Sequence, residues 1–159
     1  MFSLKKIRDT KGFTIIELLI VIAVIAILAG IVAVAYSHVT DKARDTTRQN
    51  NITEIQSQLE IFYANNNYYP SLDNLNDSTW LSANMKGLDS AIFSDPLDTS
   101  NTTLEAGSGT PKTAQKGDKK YAYDATGCTT DSDGNDECTG YTLSAYLESG
   151  STYTKKSLN

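Results

Sequence analysis

The stretch that decides the fold is residues 11–30, KGFTIIELLIVIAVIAILAG, which is apolar almost throughout. Apolar residues continue to Tyr36, so the uninterrupted run at 18–36 is 19 residues long. As a helix rising 1.5 Å per residue, this run spans about 28 Å, close to the hydrocarbon thickness of a bilayer. One carboxylate, Glu17, lies inside the apolar stretch. An ionisable side chain in a membrane segment is costly, so Glu17 indicates a function and a partner for its charge.

The charges before this run predict its orientation in the membrane. Basic residues predominate there, and an excess of Lys and Arg marks the cytoplasmic side of a membrane helix. The sequence therefore predicts a cytoplasmic N-terminus and an exported chain after Tyr36. The charged residues before Gly12 are Lys5, Lys6, Arg8, Asp9 and Lys11.

The exported part of the chain is acidic. From Ser37 onward it has 10 Lys and Arg against 17 Asp and Glu, a net charge of −7. A surface of this sign does not attract nucleic acid, so we expect no nucleic-acid partner through the general surface. Four lysines form a local basic cluster, which we interpret as part of a solvated loop. They are Lys112, Lys116, Lys119 and Lys120.

A helical pattern continues beyond the apolar run. Four apolar residues recur at spacings of three, four and three, so they share one face of a helix. They are Ile52, Ile55, Leu59 and Phe62. No proline occurs before Pro70, and the asparagines at 65–67 are typical helix breakers. The sequence predicts one helix over about residues 13–63, with charges around its apolar stripe that include Asp45, Arg48, Glu54 and Glu60.

The remaining residues predict a small domain that covers this stripe. Residues 68–88 have the pattern of a loop with short helical turns, and residues 94–118 have the composition of a loop. Alternating apolar residues then indicate three short strands at 119–124, 141–147 and 151–158. The predicted fold class is α+β, a long N-terminal helix packed against a small C-terminal antiparallel sheet.

The two cysteines of the chain predict one disulfide. Cys128 and Cys138 both lie in the exported part, where an oxidising compartment favours a bond between them. A zinc site would need further ligands, and the only histidine, His38, lies beside the membrane segment.

An acidic turn lies between the cysteines. The segment DSDGNDE, residues 131–137, begins like a calcium loop, with Asp131, Asp133 and Asn135 at alternate positions. It then departs from that pattern, because Asp136 stands where glycine is needed and Thr142 where a bidentate glutamate is needed. We interpret the segment as a polar turn and keep the first three residues as a candidate calcium site.

The sequence contains no recognisable catalytic constellation. The serines have no evident base partner, and no glycine-rich loop follows a strand as a phosphate site requires. We therefore expect no enzymatic activity, no cofactor and no catalytic metal.

Two interpretations of the N-terminal segment are open at this point. In the first, it is a secretory signal peptide that is cut after Ala33-Val34-Ala35 and releases a soluble protein starting at Tyr36. A signal peptide has no use for Glu17, however, and this apolar stretch is at the upper limit of length for one. In the second interpretation the cut precedes the apolar run, which stays in the mature protein.

The residues around this second cut resemble a known family. Gly12 followed by Phe13 and Thr14, with Glu17 at the fifth place after the cut, is similar to the leader of type IV pilins and type II secretion pseudopilins. The resemblance covers about 25 residues, and the long helix extends it. Three short segments also resemble landmarks of the pseudopilin globular domain. They are Tyr69-Pro70, Asp95-Pro96 and Tyr121-x-Tyr123.

The resemblance implies processing followed by assembly. A membrane prepilin peptidase would remove residues 1–12 and methylate the new N-terminus at Phe13. Glu17 would then pair with the Phe13 amine of a neighbouring subunit, because opposite charges in lipid neutralise each other. Residues 13–36 would form the transmembrane and polymerisation helix, residues 37–67 the amphipathic helix, and residues 68–159 the exported globular domain.

The function that the resemblance implies is that of a structural subunit of a type IV pilus-like filament. Its partners would be other copies in a helical homopolymer, the prepilin peptidase, the pilus assembly platform protein, the assembly ATPase, and the inner membrane before assembly. The subunit would lie in the cell membrane at first and later in an extracellular filament on the cell surface. A major pseudopilin of a type II secretion system and a monomeric membrane-tethered binding domain are the alternatives.

Overall fold

The longest element of the fold is α1, a single helix over Ile15–Asn66. The computed structural model describes residues 12–109, 113–130 and 136–159. The chain divides into two compact units, one that ends at Val39 and one over Thr40–Asn159, and α1 contributes to both. The predicted long N-terminal helix is confirmed.

The asparagine run ends α1 as predicted. Asn67 has a φ of 63°, a left-handed conformation that asparagine tolerates better than most residues. Its backbone N–H donates to the carbonyl oxygen of Tyr63 at 2.7 Å. This bond satisfies one of the carbonyl groups that a helix end leaves without a partner.

The unit that ends at Val39 contains the apolar part of α1. Its described side chains at 15–33 are all exposed in the single chain. By length and composition, α1 is the one described helix that is able to cross a membrane.

The described residues of the second unit continue after α1 with three short helices. They are α2 (Leu72–Asn76), α3 (Ser78–Asn84) and a 3₁₀ helix (Ser90–Phe93). The side chains of Ser71, Asp77 and Asp89 cap them by accepting backbone N–H groups of the first turn. The short helical turns predicted for residues 68–88 are therefore present.

Within the described residues, six strands form two antiparallel sheets of three strands each. Strands β1 (Tyr69–Pro70), β2 (Ala122–Thr126), β3 (Thr129–Thr130), β4 (Asp136–Cys138), β5 (Gly140–Tyr146) and β6 (Thr152–Lys156) follow in chain order. The larger sheet has the order β2-β5-β6, with Tyr123 opposite Leu143 and Ala145 opposite Tyr153. The predicted antiparallel sheet is confirmed, although β2 begins at Ala122 rather than at residue 119.

The smaller sheet, in the order β1-β4-β3, was not predicted. Its register places Tyr69 opposite Cys138 and Thr129 opposite Glu137. Strands of two or three residues are too short to show an alternating pattern in a sequence. These strands are recognised only in the structure, where segments that are distant in the sequence pair with each other.

The core of the second unit combines the amphipathic face of α1 with residues of the sheet. The four predicted stripe residues are at most 4% exposed. The same hydrophobic cluster contains Tyr123 and Leu143 of the larger sheet and Phe93 of the 3₁₀ helix. The α+β arrangement follows from this one apolar stripe, which has to be covered.

The burial of Arg48 and its ion pair with Asp95 were not predicted from the sequence. Its side chain is 3% exposed and contacts the carboxylate of Asp95, which is 2% exposed. Arg48 precedes Ile52 by four residues, so both side chains lie on the buried face of the helix. The spacing of the apolar residues identified the buried face of the helix. It did not indicate that an acidic residue on a distant segment contacts Arg48.

Candidate functional site

The candidate site is the start of α1. Gly12, Phe13 and Thr14 precede the helix, and Glu17 lies in its first turn. The Glu17 backbone N–H donates to Thr14 Oγ1 at 3.2 Å, and the Thr14 backbone N–H donates to Glu17 Oε2 at 2.8 Å. This reciprocal arrangement is a capping box, which satisfies two donors that the helix leaves free.

The Thr14 hydroxyl also donates to Glu17 Oε2, at 2.8 Å. A single carboxylate oxygen therefore accepts two hydrogen bonds from the same residue. The Thr14-x-x-Glu17 spacing is the signature of a capping box and is recognisable in the sequence, whereas the predicted partner of Glu17 was a cation.

The predicted cationic partner does not exist before the chain is cut. While Gly12 precedes it, the nitrogen of Phe13 belongs to a peptide bond and carries no charge. The pairing of Glu17 with the amine of a neighbouring subunit therefore stays a prediction, as does the cut itself.

An uncovered apolar surface surrounds the capping box. Phe13 is 89% exposed and Ile15 is 79% exposed. An apolar surface this extensive marks a contact with lipid or protein. It continues along the helix through Ile16, Leu18, Leu19, Ile20, Val21, Ile22, Val24, Ile25, Ile27, Leu28, Ile31 and Val32.

The structure contains the predicted disulfide between Cys128 and Cys138. Cys138 is buried in β4, whereas Cys128 is exposed just before β3. The candidate calcium residues Asp131, Asp133 and Asn135 lie outside the described residues. Within the described ranges, no group of three or more His, Cys, Asp or Glu side chains is placed to hold a metal ion.

Arg48 and its acidic partners form a cluster of ion pairs in which Arg48 and Asp95 are buried. Besides Asp95, its guanidinium donates to Asp45 Oδ1 at 3.1 Å and to Glu148 Oε1 at 3.2 Å. Asp45 in turn accepts the backbone N–H groups of Glu148 and Ser149 at 2.7 and 3.2 Å. Burial opposes the positive charge of Arg48, but the carboxylates of Asp95 and Glu148 outweigh it and raise the pKa. The cluster attaches the β5–β6 turn to the helix.

The predicted pseudopilin landmarks are parts of the domain core. The hydroxyls of Tyr69 and Tyr141 both donate to the carboxylate of Glu60 at 2.8 Å, and Tyr123 donates to the carbonyl oxygen of Pro70 at 2.7 Å. Burial, reinforced by Glu60, raises the pKa of the Tyr141 hydroxyl. These side chains hold the domain together and do not form a site for a ligand.

Comparison with known proteins agrees with the geometry at the start of α1. Residues 7–33 match the family described as the prokaryotic N-terminal methylation motif. The chain is also similar to the type IV wide pilus major component PilA4 of Thermus thermophilus. The two are 41% identical over 64 residues, which cover 40% of this chain and 49% of that protein.

The type II secretion system core protein G of two bacteria is similar as well. The Pseudomonas aeruginosa protein is 33% identical over 40% of this chain and 45% of its own length. The Vibrio cholerae protein is 29% identical over 44% of this chain and 48% of its own length. The chain thus spans about half the length of the curated relatives that it matches, and no solved structure matches it. The predicted resemblance to type IV pilins and type II secretion pseudopilins is confirmed.

Proposed function

We propose that the chain is a structural subunit of a type IV pilus-like filament. The observation that carries this proposal is the uncovered apolar surface of α1, which coincides with the methylation motif at residues 7–33. An apolar helix satisfies its own backbone hydrogen bonds, so it is stable in a bilayer. The same surface packs against copies of itself once the subunit leaves the lipid.

Processing at the start of α1 prepares this assembly. The cut falls between Gly12 and Phe13, and Phe13 is then N-methylated by a membrane prepilin peptidase. Support comes from the backbone, because Gly12, Phe13 and Thr14 lie outside the helix. A peptidase binds and cleaves a non-helical segment without first unwinding a helix. The cut creates a positive amine four residues before Glu17.

Glu17 binds the Phe13 amine of a neighbouring subunit. The capping box supports this role, since the hydrogen bonds from Thr14 hold the carboxylate at the start of the helix. A charged group in an apolar environment is strongly destabilising unless it is paired. The pair therefore selects one axial register among the many that an apolar surface alone would allow.

The remaining partners are those that the resemblance to type IV pilins implies. A filament subunit of this kind is inserted in the cell membrane with its N-terminus in the cytoplasm. A platform protein and an assembly ATPase then extract it into an extracellular filament. The role is structural, and the subunit carries out no reaction of its own.

Mass spectrometry and electron microscopy of one preparation test the proposal. Filaments sheared from cells that produce the chain should contain it, and its N-terminal peptide should begin with N-methylated Phe13. A mature chain that starts at Tyr36, an uncut chain that starts at Met1, or an absence of filaments would overturn the proposal.

A major pseudopilin of a type II secretion system is the second candidate. It is favoured by the similarity to core protein G of two bacteria. Deletion of the gene distinguishes the candidates. Loss of long surface filaments with normal protein secretion indicates a pilus, whereas loss of secretion from cells without such filaments indicates a pseudopilus.

A further inference from the structure

The second half of α1 leaves one helical face uncovered by its own unit. Asn50, Glu54, Ser57 and Ile61 are all exposed, and their spacings of four, three and four residues place them together. Ile61 is 52% exposed. Glu54 is the only charged residue of the four, and among the described residues it forms no ion pair. We refer to these four residues as the Glu54 face.

A cleft elsewhere in the same unit has the complementary character. Its volume is about 410 Å³, and Leu97, Lys116 and Lys119 are among its lining residues. Leu97 is 47% exposed, and both lysines are exposed. Neither lysine forms an ion pair within the part of the chain that the structure describes. We refer to this feature as the lysine cleft.

The other charges of the lysine cleft are already engaged. Glu148 contacts Arg48 at 3.2 Å and Arg44 at 3.7 Å, and Arg48 also pairs with Asp45 and Asp95. The carboxylate of Asp118 accepts the backbone N–H of Gln115. The amines of Lys116 and Lys119 are therefore the cations of the rim that have no ion-pair partner among the described residues, and they are opposite in sign to Glu54.

We infer that the Glu54 face of one copy docks against the lysine cleft of the next copy in the filament. This inference rests on the proposed function. Each surface contributes one exposed aliphatic side chain, Ile61 or Leu97, beside charges of opposite sign. The two surfaces lie on different parts of the chain, so the contact is heterologous, and its repetition builds an open helical assembly.

Charge reversal in the full chain tests the contact. We expect Glu54→Arg, and separately the double variant Lys116→Glu with Lys119→Glu, to lower the yield of sheared filaments about tenfold, because like charges then face each other. The three changes combined should restore the yield. Asp73→Arg, at an exposed position outside both surfaces, is the matched control and should leave the yield unchanged. The amount of each variant in the membrane, measured by immunoblot, shows whether the subunit is folded and retained.

Cross-linking gives an independent measurement. Glu54→Cys combined with Lys119→Cys should convert oxidised filaments into a ladder of covalent multimers on a denaturing gel, and either change alone should not. Normal filament yields from the reversed variants, failure of the triple variant to restore the yield, or a missing ladder would overturn the inference while the proposed function stands. An unaltered chain that makes no filaments would overturn the proposed function, and the inference with it.

Discussion

The guanidinium of Arg48 and the carboxylate of Asp95 form a two-point ion pair although 47 residues separate them in the sequence. The Nε–Oδ2 and Nη2–Oδ1 distances are 2.6 and 3.0 Å. Asp95 also accepts the backbone N–H of Leu97 at 2.8 Å, so its buried oxygens are satisfied. The pair attaches the segment after the 3₁₀ helix to α1.

Removal of one partner of this pair should destabilise the second unit strongly. Asp95→Ala leaves a buried guanidinium with fewer acceptors, and breaking a buried pair from one side costs about 3–5 kcal/mol. Asp41→Ala is the matched control, because it removes the partly exposed partner of Arg44 and should cost at most about 1 kcal/mol. Chemical unfolding of the full chain in detergent measures both changes. Equal effects of the two variants would contradict the buried pair.

The sequence predicted the elements whose signal is long and periodic. Ile52, Ile55, Leu59 and Phe62 recur at helical spacing, and this pattern identified the buried face of α1. The strands around Leu143 alternate between apolar and polar side chains over enough residues for the pattern to be recognised. The smaller sheet was missed because two-residue strands such as β1 have no period. The ion pair of Arg48 was not predicted, because its partner Asp95 lies on a segment that no local pattern connects to the helix.

The candidate site was predicted only in part. Glu17 was located because a carboxylate in an apolar run is conspicuous whatever the fold. The hydrogen bonds between Glu17 and Thr14 were not predicted, although the two residues are only three positions apart in the sequence. The charged partner expected for Glu17 comes into existence only after cleavage and between copies, so a single uncut chain contains no trace of it.

Filament growth should depend more on the carboxylate of Glu17 itself than on the hydrogen bonds between this carboxylate and Thr14. Glu17→Ala removes the only carboxylate that the described residues place at the start of α1, so filaments should be lost while the subunit accumulates in the membrane. Thr14→Val removes the hydroxyl but keeps the carboxylate, and should reduce filament number less. Thr14→Ser, which retains the hydroxyl, is the control. Electron microscopy and immunoblots of membranes provide the counts, and normal filaments from Glu17→Ala would show that the carboxylate has no role in assembly.

Stability should fall at alkaline pH because of the buried tyrosines. Burial raises the pKa of Tyr121 to about 12, and it also raises the pKa values of Tyr69, Tyr123 and Tyr141. The unfolded chain loses these protons near pH 10, before the folded chain does. The free energy of unfolding should therefore be independent of these groups below about pH 9 and decrease from about pH 10 toward pH 12.

Unfolding curves between pH 7 and pH 12, about the range over which tyrosines titrate, measure this dependence. The variant Tyr121→Phe removes one of the titrating hydroxyls and should lessen the decrease. A free energy of unfolding that stays constant up to pH 12, in a chain whose tyrosine absorbance titrates near pH 10, would show that these side chains are accessible to solvent.

The acidic turn between the cysteines should be indifferent to calcium. Asp131, Asp133 and Asn135 begin a calcium loop, but Asp136 and Thr142 interrupt the ligand pattern. We expect the melting temperature of the full chain to be the same with added calcium and with a chelator. A higher melting temperature in calcium, abolished by Asp131→Asn, would instead assign the turn as a metal site.

The Cys128–Cys138 disulfide should stabilise the smaller sheet and leave α1 unaffected. It bridges two residues that are 10 apart in the sequence, and Cys138 lies opposite Tyr69 of β1. Closure of a loop this short stabilises the folded state by roughly 2.5–3 kcal/mol in chain-entropy models. The double Cys→Ser variant should therefore melt earlier and be proteolysed between residues 128 and 138, while circular dichroism still reports the long helix. Reduction of the unaltered chain should reproduce both effects, and titration of free thiols in native filaments would contradict the bond.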